Sequence, residues 1–199
     1  MKKLVLAIGM LCVCVTAHSA LIDRGEGFIY DDVLDITWAN HSINGLDIWG
    51  NQVAWAAGYS QTHTGYGTFD DWRLPSMDVN GDETIVNCSS ASEVACRDNE
   101  YGYLFWQYGG IWGAGNFTHI QQYYYWSGTE YAPNPNVAWG FRFNSGNHFN
   151  DYKNLNGYYA LAVRDGDIAA SVVPVPAAVW LFGSALMWLL GLRRRRAGR

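Results

Sequence analysis

Tyr123-Tyr124-Tyr125-Trp126-Ser127, Ala138-Trp139-Gly140-Phe141-Arg142-Phe143, His148-Phe149-Asn150-Asp151-Tyr152-Lys153 and Tyr158-Tyr159-Ala160-Leu161-Ala162-Val163-Arg164 decide the fold class. Each run is short, rich in aromatic and apolar residues, and bounded by Gly, Asn or Pro, the pattern of strands joined by turns. Four such runs in succession predict an antiparallel meander. Upstream, residues 27–31 and 35–39 alternate apolar and polar side chains around Asp32-Val33-Leu34, which predicts a short hairpin. Residues 51–59 gather Val53, Ala54, Trp55, Ala56 and Ala57 before Gly58, and residues 101–108 carry Leu104 and Phe105 before Gly109-Gly110. These two stretches predict two short helices. Helices first and a meander afterwards indicate an α+β domain with antiparallel strands.

Outward from this body the chain changes character. Lys2-Lys3, the apolar run 4–15 and Ala17-His18-Ser19-Ala20 have the order of an n-region, an h-region and a small-residue cleavage site. Cleavage after Ser19 places Ala17 and Ser19 at the small-residue positions, so residues 1–19 are expected to be a signal peptide. At the other end, Pro174-Val175-Pro176 precedes the apolar run 177–192 and then Arg193-Arg194-Arg195-Arg196. As a helix this run would measure about 24 Å. That is a little short of a ~30 Å hydrocarbon core, a gap that residues 172–175, local thinning or snorkelling must close. A C-terminal transmembrane helix over 177–192 is therefore expected, with a basic stop over 193–196 on the cytoplasmic side. A buried core helix is the alternative, and four abutting arginines argue against it. The expected organisation is signal peptide 1–19, one domain over 20–171 and a tail over 172–199.

Without its ends the body keeps all 18 acids but only Arg24, Arg73, Arg97, Arg142, Lys153 and Arg164, a formal charge of −12. Such a domain repels nucleic acid and anionic lipid, and six scattered cations form no basic run. Cys12 and Cys14 fall in the signal peptide. Cys88 and Cys96 remain, an even pair in an oxidising compartment, and a disulfide is the expected outcome. Metal binding by two thiolates would need further ligands, and no histidine lies nearby in sequence.

Asp78-Val79-Asn80-Gly81-Asp82-Glu83 sets oxygen side chains at positions 1, 3 and 5 of a calcium-type loop. Glu83 then stands where glycine makes the sharp turn, and Ser89 where a bidentate carboxylate closes the site. Two readings stay open for Asp78, Asn80 and Asp82: a calcium site, or an Asn-Gly turn in an acidic surface loop. No cofactor other than calcium is suggested. His41, His63, His119 and His148 lack any hydrolase or metalloprotease context, and no serine is marked out as a nucleophile, so no enzyme is expected. The body does carry 28 aromatic residues. Trp38, Trp72, Trp126 and Trp139 belong to strand-like motifs and are expected in the core. Tyr123, Tyr124, Tyr131, Trp112, His148 and Tyr152 lie near turns and are the better surface candidates for sugar or protein contact.

Two resemblances follow from these residues. The run from Val173-Pro174-Val175-Pro176 through Ala177-Ala178-Val179-Trp180-Leu181-Phe182-Gly183-Ser184 to the arginine cluster resembles a PEP-CTERM sorting signal. Val175 stands where the family's most typical motif has glutamate. That likeness implies an exosortase, a membrane transpeptidase-like enzyme, as a partner that recognises Pro-x-Pro and cleaves near it. The body resembles the Lcl C-terminal domain family through five segments in the family's order: Ile22-Asp23-Arg24-Gly25, residues 29–38, Asp71-Trp72-Arg73-Leu74-Pro75, residues 125–130 and Ala162-Val163-Arg164-Asp165-Gly166. This implies a C-type-lectin-like fold, related to that of formylglycine-generating enzymes, in which Arg-Leu-Pro precedes a helix. After Ser76 the acidic residue usual early in that helix is missing, and residues 78–99 look like an insertion. Formylglycine-generating enzymes use cysteines in their own site; Cys88 and Cys96 lie in the inserted loop, so that role is not carried over. An adhesin of the family is associated with sulfated polysaccharides, a specificity that a body at −12 does not suit.

Together these readings predict an exported protein, first an inner-membrane-anchored precursor and then a component of the cell surface or extracellular matrix. Its partners would be the secretion machinery, the exosortase and the membrane, with glycan or exopolysaccharide as ligand and no nucleic acid. The competing expectations are a structural matrix protein acting by self-association and an enzyme on a related fold.

Overall fold

The structure, a computed structural model, describes residues 21–109, 117 and 120–171. The expected signal peptide 1–19, sorting motif Pro174-Val175-Pro176, membrane helix 177–192 and arginine stop 193–196 lie outside them. Among the described residues no helix is long and apolar enough to cross a membrane.

In chain order the elements are β1 (Leu21–Gly25), β2 (Phe28–Asp31), β3 (Ile36–Asp47), α1 (Trp49–Ala57), β4 (Gln61–His63), β5 (Gly67–Phe69), α2 (Glu93–Cys96), α3 (Glu100–Gln107), β6 (Tyr124–Glu130), β7 (Val137–Arg142), β8 (Asn147–Tyr152), β9 (Tyr158–Asp165) and a final 3₁₀ turn, Ile168–Ser171. The domain is α+β and mainly β. Seven strands form one sheet in the order β1-β2-β3-β9-β6-β7-β8, while β4 and β5 make a separate hairpin. Every pairing is antiparallel except β6 with β9.

Strands 28–31 and 36–39 form the expected hairpin, with Phe28 opposite Ala39 and Ile29 opposite Trp38. The two expected helices are α1 and α3. Three expectations are corrected. Strands β1 to β3 precede the helices, so the order is not helices first. The meander holds only for β6, β7 and β8; β9 leaves it and runs between β3 and β6 at the centre of the sheet. The reason lies in Ala160-Leu161-Ala162-Val163, which is fully buried and apolar without alternation, as a strand covered on both faces must be. Leu161 and Val163 join Trp38, Tyr101, Tyr125 and Phe141 beneath α3. Ala160 meets Trp126 on the α1 side, and Ala162 meets Trp72 and Phe28. The small alanines leave room there for indole rings. Lastly, β3 continues to Asp47, well past residue 39, and its pairing with β9 shifts register twice. Those irregularities let a strand pass through turn-forming Asn40, Asn44 and Gly45.

Two glycines mark where close packing sets the chain. A Cβ on Gly140 would lie 2.6 Å from both Phe149 Cζ and the Tyr125 carbonyl oxygen, so β7 approaches its neighbours at a distance only glycine permits. Gly102, inside α3, would set a Cβ 2.6 Å from Cys88 Sγ. The Cys88–Cys96 disulfide, with Cα atoms 5.0 Å apart, therefore packs directly onto the helix. Asn99 completes the junction: its Oδ1 accepts from Gly102 N at 2.9 Å, capping α3, and its Nδ2 donates to the Val86 carbonyl at 3.1 Å.

Candidate functional site

Arg73 lies in the Asp71-Trp72-Arg73-Leu74-Pro75 segment, and its backbone bridges β9 through Arg73 N to Val163 O at 2.8 Å and Val163 N to Arg73 O at 2.9 Å. That bridge aims the side chain at the start of α3. The guanidinium forks onto Glu100, with Nη1 donating to Oε2 at 2.9 Å and Nη2 to Oε1 at 2.8 Å. It also reaches Asp165 Oδ1 from Nη2 at 2.7 Å and from Nε at 3.2 Å. Nη1 further donates to the Leu74 carbonyl at 3.2 Å. Burial by itself would lower the arginine's proton affinity, but Glu100 and Asp165 more than offset it and hold the group charged.

Glu100 is the first residue of α3, reached from Arg73-Leu74-Pro75 only after the stretch 78–99. Its side chain is 3 % exposed, and it also accepts the Ser76 backbone N–H at 2.6 Å. A buried carboxylate survives because a planar fork and a backbone amide occupy both its oxygens. The signal in the sequence was Arg73 between the apolar Trp72 and Leu74, an arginine that a carboxylate would complement.

Beside this clasp a cleft of about 710 Å³ opens between α1, β9 and the start of β3, a size suited to a small ligand. Trp49, Val53 and Trp72 line its apolar side; Asp35, Thr129 and Asp165 are among its polar groups. Asp35 and Asp165 arrive together because Ile36 pairs with Asp165 across β3 and β9, and Gly166 N donates to the Asp35 carbonyl at 2.7 Å. Trp49 is fixed by its Nε1–H, which donates to the Ser127 carbonyl at 2.8 Å, and by the Lys153 ammonium 4.3 Å from its ring centroid. Lys153 in turn pairs with Glu130 at 2.9 Å. Helix α1 is held in place by buried Gln52, which donates to the Gly45 carbonyl at 2.6 Å and the Tyr158 carbonyl at 2.7 Å while accepting from Asn44 Nδ2 at 2.8 Å. Sequence reading named neither Trp49, Gln52, Asp35, Glu100 nor Asp165 as a site residue, because the topology, and not chain proximity, gathers them.

The acidic loop stands apart. Asp78 Oδ1 accepts from Gly81 N at 2.9 Å and Asp82 N at 3.1 Å, and its Oδ2 from Glu83 N at 2.8 Å. Asn80 Oδ1 accepts from Asp82 N, and Asp82 Oδ1 from Thr84 N, both at 2.8 Å. These bonds form the Asn-Gly turn and at the same time draw the oxygens of positions 1, 3 and 5 inward. A residue outside the expected set joins them: Asp98 Oδ1 accepts from Asn80 N at 2.8 Å. Asp78, Asp82 and Asp98 each present an oxygen within 4.8 Å of the others, and Asp98 Oδ2 is a buried atom without a hydrogen-bond partner among the described residues. Any cation in this loop would be held by Asp78, Asn80, Asp82 and Asp98, not by Ser89, which is exposed.

The remaining candidates divide. Cys88 and Cys96 are joined as expected. Trp38, Trp72 and Trp126 are buried, while Trp139 is half-buried between the edges of Tyr131 and His148. Among the surface candidates Tyr123 and Tyr152 are exposed; Tyr124, Tyr131 and His148 are half-buried in ring contacts. Trp112 lies outside the described residues.

Neither a curated protein nor a solved structure matches the chain. A family model does, that of the Lcl C-terminal domain, over residues 27–164, more than half of the chain and inclusive of the Arg73–Glu100 clasp, the cleft residues Trp49 and Asp35, and the acidic loop. The chain belongs to the Lcl C-terminal domain family.

Proposed function

We propose that this protein is an exported component of the cell surface or extracellular matrix whose domain is a non-enzymatic binding module for glycan or exopolysaccharide. The observation that carries the proposal is the cleft beside Arg73. It combines an indole wall at Trp49 with carboxylate and hydroxyl oxygens at Asp35, Asp165 and Thr129, the pairing of apolar face and hydrogen-bond acceptors that a pyranose ring uses. Among the described residues its lining holds no histidine, cysteine or lysine. Glu100, the buried acid there, is committed to Arg73 and Ser76, which supports binding over catalysis. In this reading the fold is of C-type-lectin-like type, a signal peptide over 1–19 directs export, and an exosortase acts on the tail at Pro174-Val175-Pro176, with residues 177–192 as the temporary membrane anchor.

A glycan array probed with the exported protein, with and without calcium, tests the binding role. Retention on uncharged or amine-bearing glycans that is lost in Trp49→Ala is the expected result. Silence on the array together with concentration-dependent self-association would replace it with a structural matrix role. The sorting step has its own test: intact-mass measurement in a host with an exosortase should find the mature chain ending near residues 174–177. Retention of Arg199 on the exported protein would refute it.

A further inference from the structure

We infer that the cleft selects amine-bearing saccharides over acetylated, neutral or sulfated ones, an inference that rests on the glycan-binding reading above. It begins with the donor count at Arg73. A guanidinium has five N–H groups, and all five are occupied: one at Nε by Asp165, two at Nη1 by Leu74 O and Glu100, two at Nη2 by Glu100 and Asp165. Arg73, the one cation that lines the cleft among the described residues, therefore has no N–H left to offer an anionic ligand.

The acceptors are in the opposite condition. Glu100 is satisfied by Arg73 and Ser76. Asp165 meets Arg73 only through Oδ1, and its side chain is 80 % exposed. Asp35 is exposed and accepts from the Tyr30 hydroxyl through Oδ1 at 2.9 Å. The second oxygen of each accepts no hydrogen bond among the described residues, and both carboxylates line the cleft at the same end of the β3–β9 pair. One arginine against Asp35, Glu100 and Asp165 leaves the cleft at a formal charge of −2, inside a body at −12. A field of that sign draws cations toward the cleft and repels sulfate and carboxylate groups. An ammonium substituent on a sugar would offer three donors to the two open oxygens while the ring lies along Trp49. An N-acetyl group at the same position removes the charge and leaves the ring unaltered.

The test uses the exported protein and two forms of one oligosaccharide, a glucosamine oligomer and its N-acetylated counterpart, measured by calorimetry in mildly acidic buffer at low and at physiological salt. The expected result is binding of the amine form about tenfold tighter than the acetylated form, weakening as salt rises. Asp35→Asn with Asp165→Asn should remove that preference, bringing the two oligomers to equal affinity with the melting temperature unchanged. Asparagine keeps the oxygen that each aspartate lends to Tyr30 or Arg73, so the clasp stays formed. Equal or tighter binding of the acetylated oligomer would overturn the inference while sparing the glycan reading. So would an amine preference that persists in the double variant, since the field of the whole body would then suffice. Failure of both oligomers, with silence on the glycan array, would remove the glycan reading itself.

Discussion

The Arg73 clasp and the Asp78–Asp98 loop both gather carboxylates within a few ångströms, and they stabilise them by different means. At the clasp an internal cation does so: Glu100 is buried, and a guanidinium with every donor occupied lies against it. In the loop, backbone amides take that role, with four N–H groups making five hydrogen bonds to Asp78, Asn80 and Asp82 and, among the described residues, no lysine or arginine bonded to the three. Full compensation makes the first arrangement rigid and part of the fold. The second is compensated only by dipoles, and one oxygen of Asp98 is left over. Removing a carboxylate should therefore cost much at the clasp and little in the loop.

Glu100→Ala tests that contrast most severely. It strips the fork from Arg73 and the acceptor from Ser76 N–H, and breaking a buried ion pair from one side costs about 3 kcal/mol. Asp98→Ala should cost less than about 1 kcal/mol, because its partner is a single backbone amide at the surface. Urea denaturation of both variants gives the comparison, and equal losses would contradict it.

The same contrast governs what could be read from the chain. The hairpin over 28–39, the helices and the meander strands were legible because each is a local pattern of period or turn. The position of β9 was not, since a continuous apolar run says that a strand is covered on both faces without saying which neighbours it has. Asp78, Asn80 and Asp82 were legible as a loop because they are neighbours in sequence. Asp98 was not, and neither was Glu100, 27 residues from the arginine it serves. The stretch 78–99 separates both from their partners, and only the fold closes the gap. Trp49 and Asp35 remained hidden for the same reason.

The disulfide ties the two regions together, since Cys88 packs on Gly102 two residues after Glu100. Closing a loop of this length contributes about 2.5 kcal/mol in the chain-entropy model. Reduction, or Cys88→Ala with Cys96→Ala, should lower stability by about that amount. It should also loosen the acidic loop before the clasp, visible as faster amide exchange at residues 78–86 than at α3. Two reactive thiols in the exported, unreduced protein would show that the bridge does not form.

Calcium separates the regions at lower energy. Asp78, Asn80, Asp82 and Asp98 supply four side chains where calcium takes six to eight oxygens, so affinity should be that of extracellular modules, about 10⁻⁴–10⁻³ M. At ten times the dissociation constant the domain gains about 1.4 kcal/mol, and Asp98→Asn should abolish most of that gain. Glu100 variants should retain the calcium response if they fold. A melting temperature indifferent to calcium would leave the loop as an Asn-Gly turn alone.

Asp31 provides the mildest test, because it combines features of both regions. It is fully buried; its Oδ1 accepts from Val33 N, Leu34 N and the Tyr108 hydroxyl, each at 3.0 Å, and its Oδ2 has no hydrogen-bond partner among the described residues. Burial pushes its carboxyl above the ordinary value of 3.8, against the opposing pull of those hydrogen bonds. The folded protein thus holds a proton that the unfolded chain releases, and the resulting stability is complete below pH 3.8 and is lost as pH rises through the folded value. Asp71, paired with Arg164 and shifted downward, contributes with the opposite sign and is weakened as pH falls. Asp31→Asn isolates the first effect. The amide brings a constant cost from its unpartnered N–H, so the informative quantity is how the variant's deficit changes with pH. That deficit should shrink steadily as pH rises above 3.8 and level off once the wild-type carboxyl is ionised. A deficit that instead grows as pH rises through 3.8 would mean that the Oδ1 hydrogen bonds outweigh burial and hold the carboxyl below its ordinary value.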